Sequence, residues 1–249
     1  MIIGVFDSGK GGETVLREIK KRLPQETYIY FADSKNCPYG EKTQAELEEI
    51  VSEATEYLLA RGAELIVVAC NTATTRAITF LREKYKNVPF VGTEPAIKKA
   101  CEETEVKDDE EAKIVLLCTP ATAKSERTRE LITLNKKQGQ EVVVIPCPGL
   151  AKAIEDENET EIDQKLANLA GKFEDFEQKK SPGVSEVCSA LNLRRKQGVE
   201  SVKAVILGCT HYPIIRDKIQ KIFEGAKIVD GGDGVAREVE RIVLEKDWF

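Results

Sequence analysis

The sequence predicts an α/β fold of two similar lobes, each a mainly parallel sheet flanked by helices, with the active site in the cleft between them. Three observations lead there. Short, continuous apolar runs alternate with helical segments, the pattern of strands buried on both faces. Polar residues capable of chemistry gather where those runs end, and parallel α/β sheets bind ligands beyond the carboxyl ends of their strands. The chain also carries an internal echo. Ile66-Val67-Val68-Ala69-Cys70-Asn71-Thr72 has the form of Val205-Ile206-Leu207-Gly208-Cys209-Thr210-His211: an apolar run, a small residue, a cysteine, then hydroxyl or amide groups. Gly4–Ser8 and Val115–Thr119 likewise both end a strand in a polar turn. The 249 residues are enough for two such lobes. The first is assigned to residues 1–94 plus about 212–249, the second to 95–211.

Taken in order, Ile2–Phe6 is the first strand, followed by the turn Asp7-Ser8-Gly9 and a helix near Glu13–Arg22. Tyr28–Ala32 leads into the loop Asp33–Gly40 and an amphipathic helix over about Gln44–Ala60. Glu64–Ala69 is a buried strand ending at Cys70, with a helix reaching about Tyr85, and Val88–Val91 is a short strand. Acidic, lysine-rich Glu102–Lys113 reads as a solvated loop or helix end. The rhythm resumes with strand Lys113–Leu117, a turn through Thr122, a helix over about Lys124–Leu134 and strand Glu141–Ile145. The polar stretch Glu155–Leu191 reads as outer-face helices broken at Ser181-Pro182-Gly183. Val202–Leu207 is the last strongly apolar strand, and Pro213 suits the first turn of the helix after it.

Composition excludes several classes. A net charge of -6 does not favour nucleic acid or an anionic membrane. Met1–Ile3 runs straight into Gly4-Val5-Phe6-Asp7, with neither a basic leader nor an apolar span, so a cytoplasmic protein with no membrane partner is expected. The seven cysteines are odd in number, widely spaced and form no C-x-x-C pair, so neither a zinc site nor a redox dithiol is suggested.

Cys70 and Cys209 stand at strand ends, where a following helix offers unpaired N–H groups that lower a thiol pKa and bind a carboxylate. Cys118 and Cys147 also lie near strand ends. Cys70 and Cys209 are set apart by their company, Asn71-Thr72 and Thr210-His211. Cys101 and Cys188 read as ordinary buried thiols. His211 is the one histidine, so no multi-histidine metal site exists and any His-dependent triad would have to use it; Thr210 or His211 could cap the next helix. Gly4 through Gly11 nearly matches the phosphate-cradling G-x-x-x-x-G-K-[ST], but Gly11 replaces the magnesium-binding hydroxyl and Asp7 occupies the phosphate's place. The glycines are read instead as room for backbone to approach a small ligand.

The ordered set Asp7-Ser8-Gly9, Cys37-Pro38-Tyr39-Gly40, Ala69-Cys70-Asn71-Thr72, Thr119-Pro120-Ala121-Thr122 and Gly208-Cys209-Thr210-His211-Tyr212-Pro213 resembles glutamate racemase over nearly the whole chain. The resemblance implies two lobes enclosing glutamate, with no pyridoxal phosphate or other cofactor and no metal. Cys70 would take the proton from D-glutamate and Cys209 from L-glutamate, with Asp7 assisting Cys70, His211 assisting Cys209, and Glu155 a further helper. Ser8, Pro38, Tyr39, Gly40, Asn71, Thr72, Thr122 and Thr210, with Asp7 and His211, would hold the substrate. A cytoplasmic homodimer supplying D-glutamate for peptidoglycan is expected. The rivals are a two-cysteine enzyme for aspartate, a hydantoin or maleate, a cysteine hydrolase using Cys209 and His211, and a non-catalytic binding module. The sequence departs from the family at Lys10, at Lys124–Thr128, which lacks a tyrosine, and at Gly231, where serine is usual.

Overall fold

A computed structural model describes residues 1–106, 111–180 and 202–245, with backbone alone for 170–180. Eight strands form two four-stranded sheets, all parallel. The first contains β1 (Ile2–Asp7), β2 (Thr27–Ala32), β3 (Leu65–Val68) and β4 (Phe90–Gly92) in the order β2-β1-β3-β4. The second contains β5 (Ala112–Cys118), β6 (Gln140–Pro146), β7 (Val202–Gly208) and β8 (Lys227–Asp230) in the order β6-β5-β7-β8. The two orders are the same pattern, so Cys70 after β3 and Cys209 after β7 follow equivalent strands.

The strands are apolar throughout because both faces of each sheet are covered. In β1 and β3, Ile3, Val5, Leu65 and Val67 face one core, while Phe6, Ile66 and Val68 face the other. In β5 and β7, Val115, Leu117, Val205 and Leu207 point one way, and Ile114, Leu116, Ala204 and Ile206 the other. This is the period-two alternation of a pleated strand packed on two sides.

The first sheet carries α1 (Glu13–Arg22), α2 (Gln44–Leu59) and α3 (Asn71–Lys84). The second carries α4 (Ile97–Glu103), α5 (Pro120–Lys124), α6 (Glu126–Asn135), α7 (Leu150–Glu155), α8 (Glu159–Lys180) and α9 (Arg216–Ile222). The last helix, α10 (Gly232–Leu244), returns to the first sheet. Its Val235, Ala236, Val239 and Val243 pack in the core of α1, and Arg22 pairs with Asp233 and Glu240.

That return comes later than the sequence suggests. Residues 212–230 stay with the second sheet: Tyr212, Ile215, Ile219, Phe223 and Ile228 share its core, and β8 pairs with β7. The crossing back lies at Gly231, where a Cβ would sit 2.8 Å from the carbonyl oxygen of Glu94. The two chain crossings therefore touch, which accounts for glycine at this position. Ser125 ends α5 and caps α6, accepting a hydrogen bond from the Thr128 amide. The Ser181-Pro182-Gly183 break and Cys188 lie outside the described residues.

Candidate active site

The carboxyl ends of β1, β3, β5 and β7 meet in one buried cluster. Asp7, Cys70, Cys209 and His211 expose 0, 5, 6 and 1% of their surface. Asp7 ends β1, and its Oδ2 accepts the Gly12 amide at 2.8 Å. From the other lobe, the Thr210 hydroxyl donates to the same carboxylate at 3.3 Å. Ser8 lies beside Cys70, with Oγ 3.8 Å from Sγ.

Cys70 occupies the residue before α3, where its side chain makes no capping hydrogen bond but the nearby Ala73 and Thr72 amides still favour a charge on its sulfur. Those amides act as expected, favouring the thiolate, but desolvation outweighs them. Burial first, and the Asp7 charge second, push the Cys70 thiol up to about 12. Cys209 is likewise raised well above the ordinary thiol value by burial, against the His211 amide, and a charge on Cys70 would raise it further. The expectation of lowered thiol pKa values is therefore corrected: in the closed cleft both sulfurs are protonated at neutral pH.

Each thiol has a base beside it. Burial raises Asp7 more than His211 and the Gly12 and Ser8 amides lower it, making it a stronger base than an exposed carboxylate. His211 Nδ1 lies 3.8 Å from Cys209 Sγ, and Nε2 lies 2.8 Å from Glu155 Oε2. The histidine side chain caps no helix.

Glu155 ends α7, which Gly149 starts in a left-handed conformation at φ 73°. Its carboxylate also accepts from the Lys10 amide at 2.9 Å and from the Ser34 hydroxyl at 2.6 Å, both on the first lobe. Burial would raise this group, but the bonds from His211, Ser34 and Lys10 prevail and hold it at about 2. A carboxylate depressed from 4.5 in this way stabilises the fold fully above that value and progressively less as pH falls towards 2. Glu155→Gln should therefore be less stable than the parent at pH 6, and the gap should narrow markedly by pH 3. Urea titrations at the two pH values measure it; an unchanged gap would contradict the shift.

The glycines of the first turn make these approaches possible. A Cβ at Gly9 would lie 2.5 Å from Glu155 Oε2, one at Gly11 2.6 Å from His211 Nδ1, and one at Gly12 2.5 Å from the Asp7 Cβ. The room read as space for a ligand is filled by these side chains. Lys10, the unexpected charge, directs its ammonium to the exposed carboxylate of Glu157 at 2.8 Å.

The remaining predicted residues line the same region. Asn71 and Thr72 open α3, and Asn71 Oδ1 is buried with no hydrogen-bond partner among the described residues. Thr72, Thr119 and Thr122 bring three hydroxyls together across the lobes at 3.0 to 3.4 Å. Tyr39 is buried, its hydroxyl donating to Asp33 at 2.9 Å; Pro38 and Gly40 flank it, and Gly40 faces Thr119. Cys118 and Cys147 are core residues of the second lobe and Cys101 is buried within α4, as ordinary thiols. Sequence reasoning missed Thr119, Ser34, Asp33 and Tyr30. Only Thr119 had a local signal, as the cap before Pro120.

Among the described residues no three His, Cys, Asp or Glu side chains converge as a metal site, and no helix is long and apolar enough to cross a membrane.

Residues 3–239 match the family model for Asp/Glu/hydantoin racemase. A glutamate racemase of Clostridium perfringens is 39% identical over 249 residues, covering 98% of this chain and 84% of the relative. That of Clostridium acetobutylicum is 38% identical over 239 residues, covering 96% and 82%. Among solved structures, glutamate racemase isoform RacE1 from Bacillus anthracis superposes with a TM-score of 0.73 at 30% identity, covering 99% of this chain and 82% of that one. The Escherichia coli glutamate racemase, solved with L-glutamate and the activator UDP-MurNAc-ala, gives 0.73 at 30% identity, covering 98% and 82%. With the fold, the paired strand-end thiols and these likenesses in agreement, the chain belongs to the Asp/Glu/hydantoin racemase family.

Proposed function

We propose that this racemase interconverts L- and D-glutamate by two-base proton transfer between Cys70 and Cys209, with no pyridoxal phosphate or metal. One observation carries the reading: two buried thiols follow equivalent strands of facing sheets, and each has its own base, Asp7 beside Cys70 and His211 beside Cys209. Inverting a stereocentre needs a base on one face and an acid on the other, so one sulfur must be thiolate while the other is thiol.

Because burial keeps both protonated, substrate entry is coupled to moving one thiol proton onto the adjacent base. On the L side, His211 takes the Cys209 proton, and the Glu155 carboxylate behind Nε2 stabilises the imidazolium. The Cys209 thiolate removes the α-hydrogen of L-glutamate as a proton, leaving the electron pair on carbon. Cys70 then delivers its thiol proton to the opposite face, giving D-glutamate and a Cys70 thiolate. On the D side Asp7 and Cys70 play the corresponding parts.

The developing carbanion requires fixed donors and exclusion of water. Ser8, Tyr39, Gly40, Thr72, Thr122 and Thr210, with Pro38 shaping the loop, supply donors and walls for the two carboxylates. The orphaned Asn71 Oδ1 is an acceptor suited to the ammonium group. Supply of D-glutamate for peptidoglycan from a cytoplasmic homodimer completes the proposal.

Chiral analysis of L-glutamate incubated with purified protein and no added cofactor should give a racemic mixture. In D₂O the product should carry deuterium at the α-carbon. Inertness towards glutamate with turnover of aspartate, a hydantoin or maleate would replace the substrate, and full retention of the original hydrogen would overturn the mechanism.

A further inference from the structure

We infer that Tyr30 is a positioning residue for the Cys209 half of the site, acting through a single peptide group. Tyr30 lies on β2 opposite Val5 of β1, and its hydroxyl donates to the carbonyl oxygen of Gly9 at 2.6 Å. The other end of that same peptide unit is the Lys10 amide, which donates to Glu155 Oε2 at 2.9 Å. Glu155 Oε2 in turn holds His211 Nε2, and His211 Nδ1 faces Cys209 Sγ. A continuous chain of polar contacts thus runs from the phenol through one peptide plane, one carboxylate and one imidazole to the sulfur.

Four features hold this chain together. A hydrogen bond accepted at a peptide carbonyl polarises the N–H on the other side, strengthening the bond it donates. The carboxylate presses against Gly9, where a Cβ would clash, so the peptide plane and Glu155 are fixed face to face. Burial and the neighbouring Asp7, Glu13 and Glu155 carboxylates keep the phenol protonated, so it remains a donor at every working pH. Its ring, meanwhile, packs against the core of the first sheet, anchoring the hydroxyl to a strand rather than to a loop.

The inference rests on the proposed role of His211 at Cys209. Tyr30→Phe keeps the ring and removes the donor. It should lower kcat about five-fold for both enantiomers, the size expected of one hydrogen bond, with KM changed less than about two-fold. The loss of kcat/KM must be equal in the two directions, because the equilibrium constant between enantiomers is one. In a Glu155→Gln background the same substitution should cost nothing further, since both changes cut one chain.

A role in packing alone would multiply the two losses instead, and that result would overturn the inference. So would an unchanged kcat in Tyr30→Phe, or a Tyr30→Phe protein that fails to fold. If the parent protein does not racemise glutamate, the functional reading fails first. If it does and Tyr30→Phe equals it, only the role of Tyr30 falls.

Discussion

Cys209→Ala abolishes racemisation in both directions, by at least about 10⁴-fold, and Cys70→Ala does the same. On the proposed two-base route each variant removes one of the two groups that exchange a proton with the α-carbon. The two variants differ in what they retain. With Cys70 absent, Cys209 can still remove and return the proton of L-glutamate, so in D₂O the L isomer gains α-deuterium without inversion. With Cys209 absent, the D isomer does so. Proton NMR of the α-hydrogen read beside chiral chromatography separates these outcomes. Near-normal turnover in either variant would end the two-thiol assignment.

Gly11→Ala lowers kcat/KM by about 100-fold, the size expected when acid–base groups move by an ångström. The added Cβ would meet His211 Nδ1 at 2.6 Å, the His211 amide nitrogen at 2.8 Å and the Thr210 carbonyl carbon at 2.8 Å. Two of those neighbours are backbone and cannot rotate away. The turn must therefore shift from the imidazole beside Cys209, and overpacking of this kind also costs about 1–3 kcal/mol of stability. Gly234 supplies the control. It is exposed inside α10 with nothing within 4 Å of a Cβ, so Gly234→Ala should leave activity alone and add about 0.5–1 kcal/mol. Steady-state kinetics with denaturant unfolding checks both; parent-like activity in Gly11→Ala would show that the turn does not register the histidine.

The architecture was legible because parallel strands buried on two faces leave continuous apolar runs, and because the Cys70 and Cys209 segments repeat one another. Elements with weaker signals escaped. β8 is four residues long, and its Lys227 and Asp230 mask the two apolar positions between them. α4 lay mostly in the unassigned gap before the charged stretch that begins at Glu102, and α7 in the gap before the polar segment that begins at Glu155. The strand-end thiols could be found from spacing, but their ionisation could not. Helix amides at Cys70 are a local feature, whereas the burial that outweighs them comes from packing with segments distant in sequence, in a core cluster that includes Phe6, Tyr39 and Leu47. Ser34 and Tyr30 were invisible for a similar reason: they meet their partners 121 and 21 residues away in sequence.

The contact between Gly231 and Glu94 has a mechanical consequence. Where two covalent crossings lie side by side, the halves of the molecule can swing about that seam but cannot drift apart. A swing that opens the gap would stretch the ties reaching across it: Ser34 and the Lys10 amide to Glu155, Thr72 to Thr119, and Thr210 to Asp7. The ties that aim the proposed acid–base groups therefore also join the two halves, so opening the cleft would take that arrangement apart.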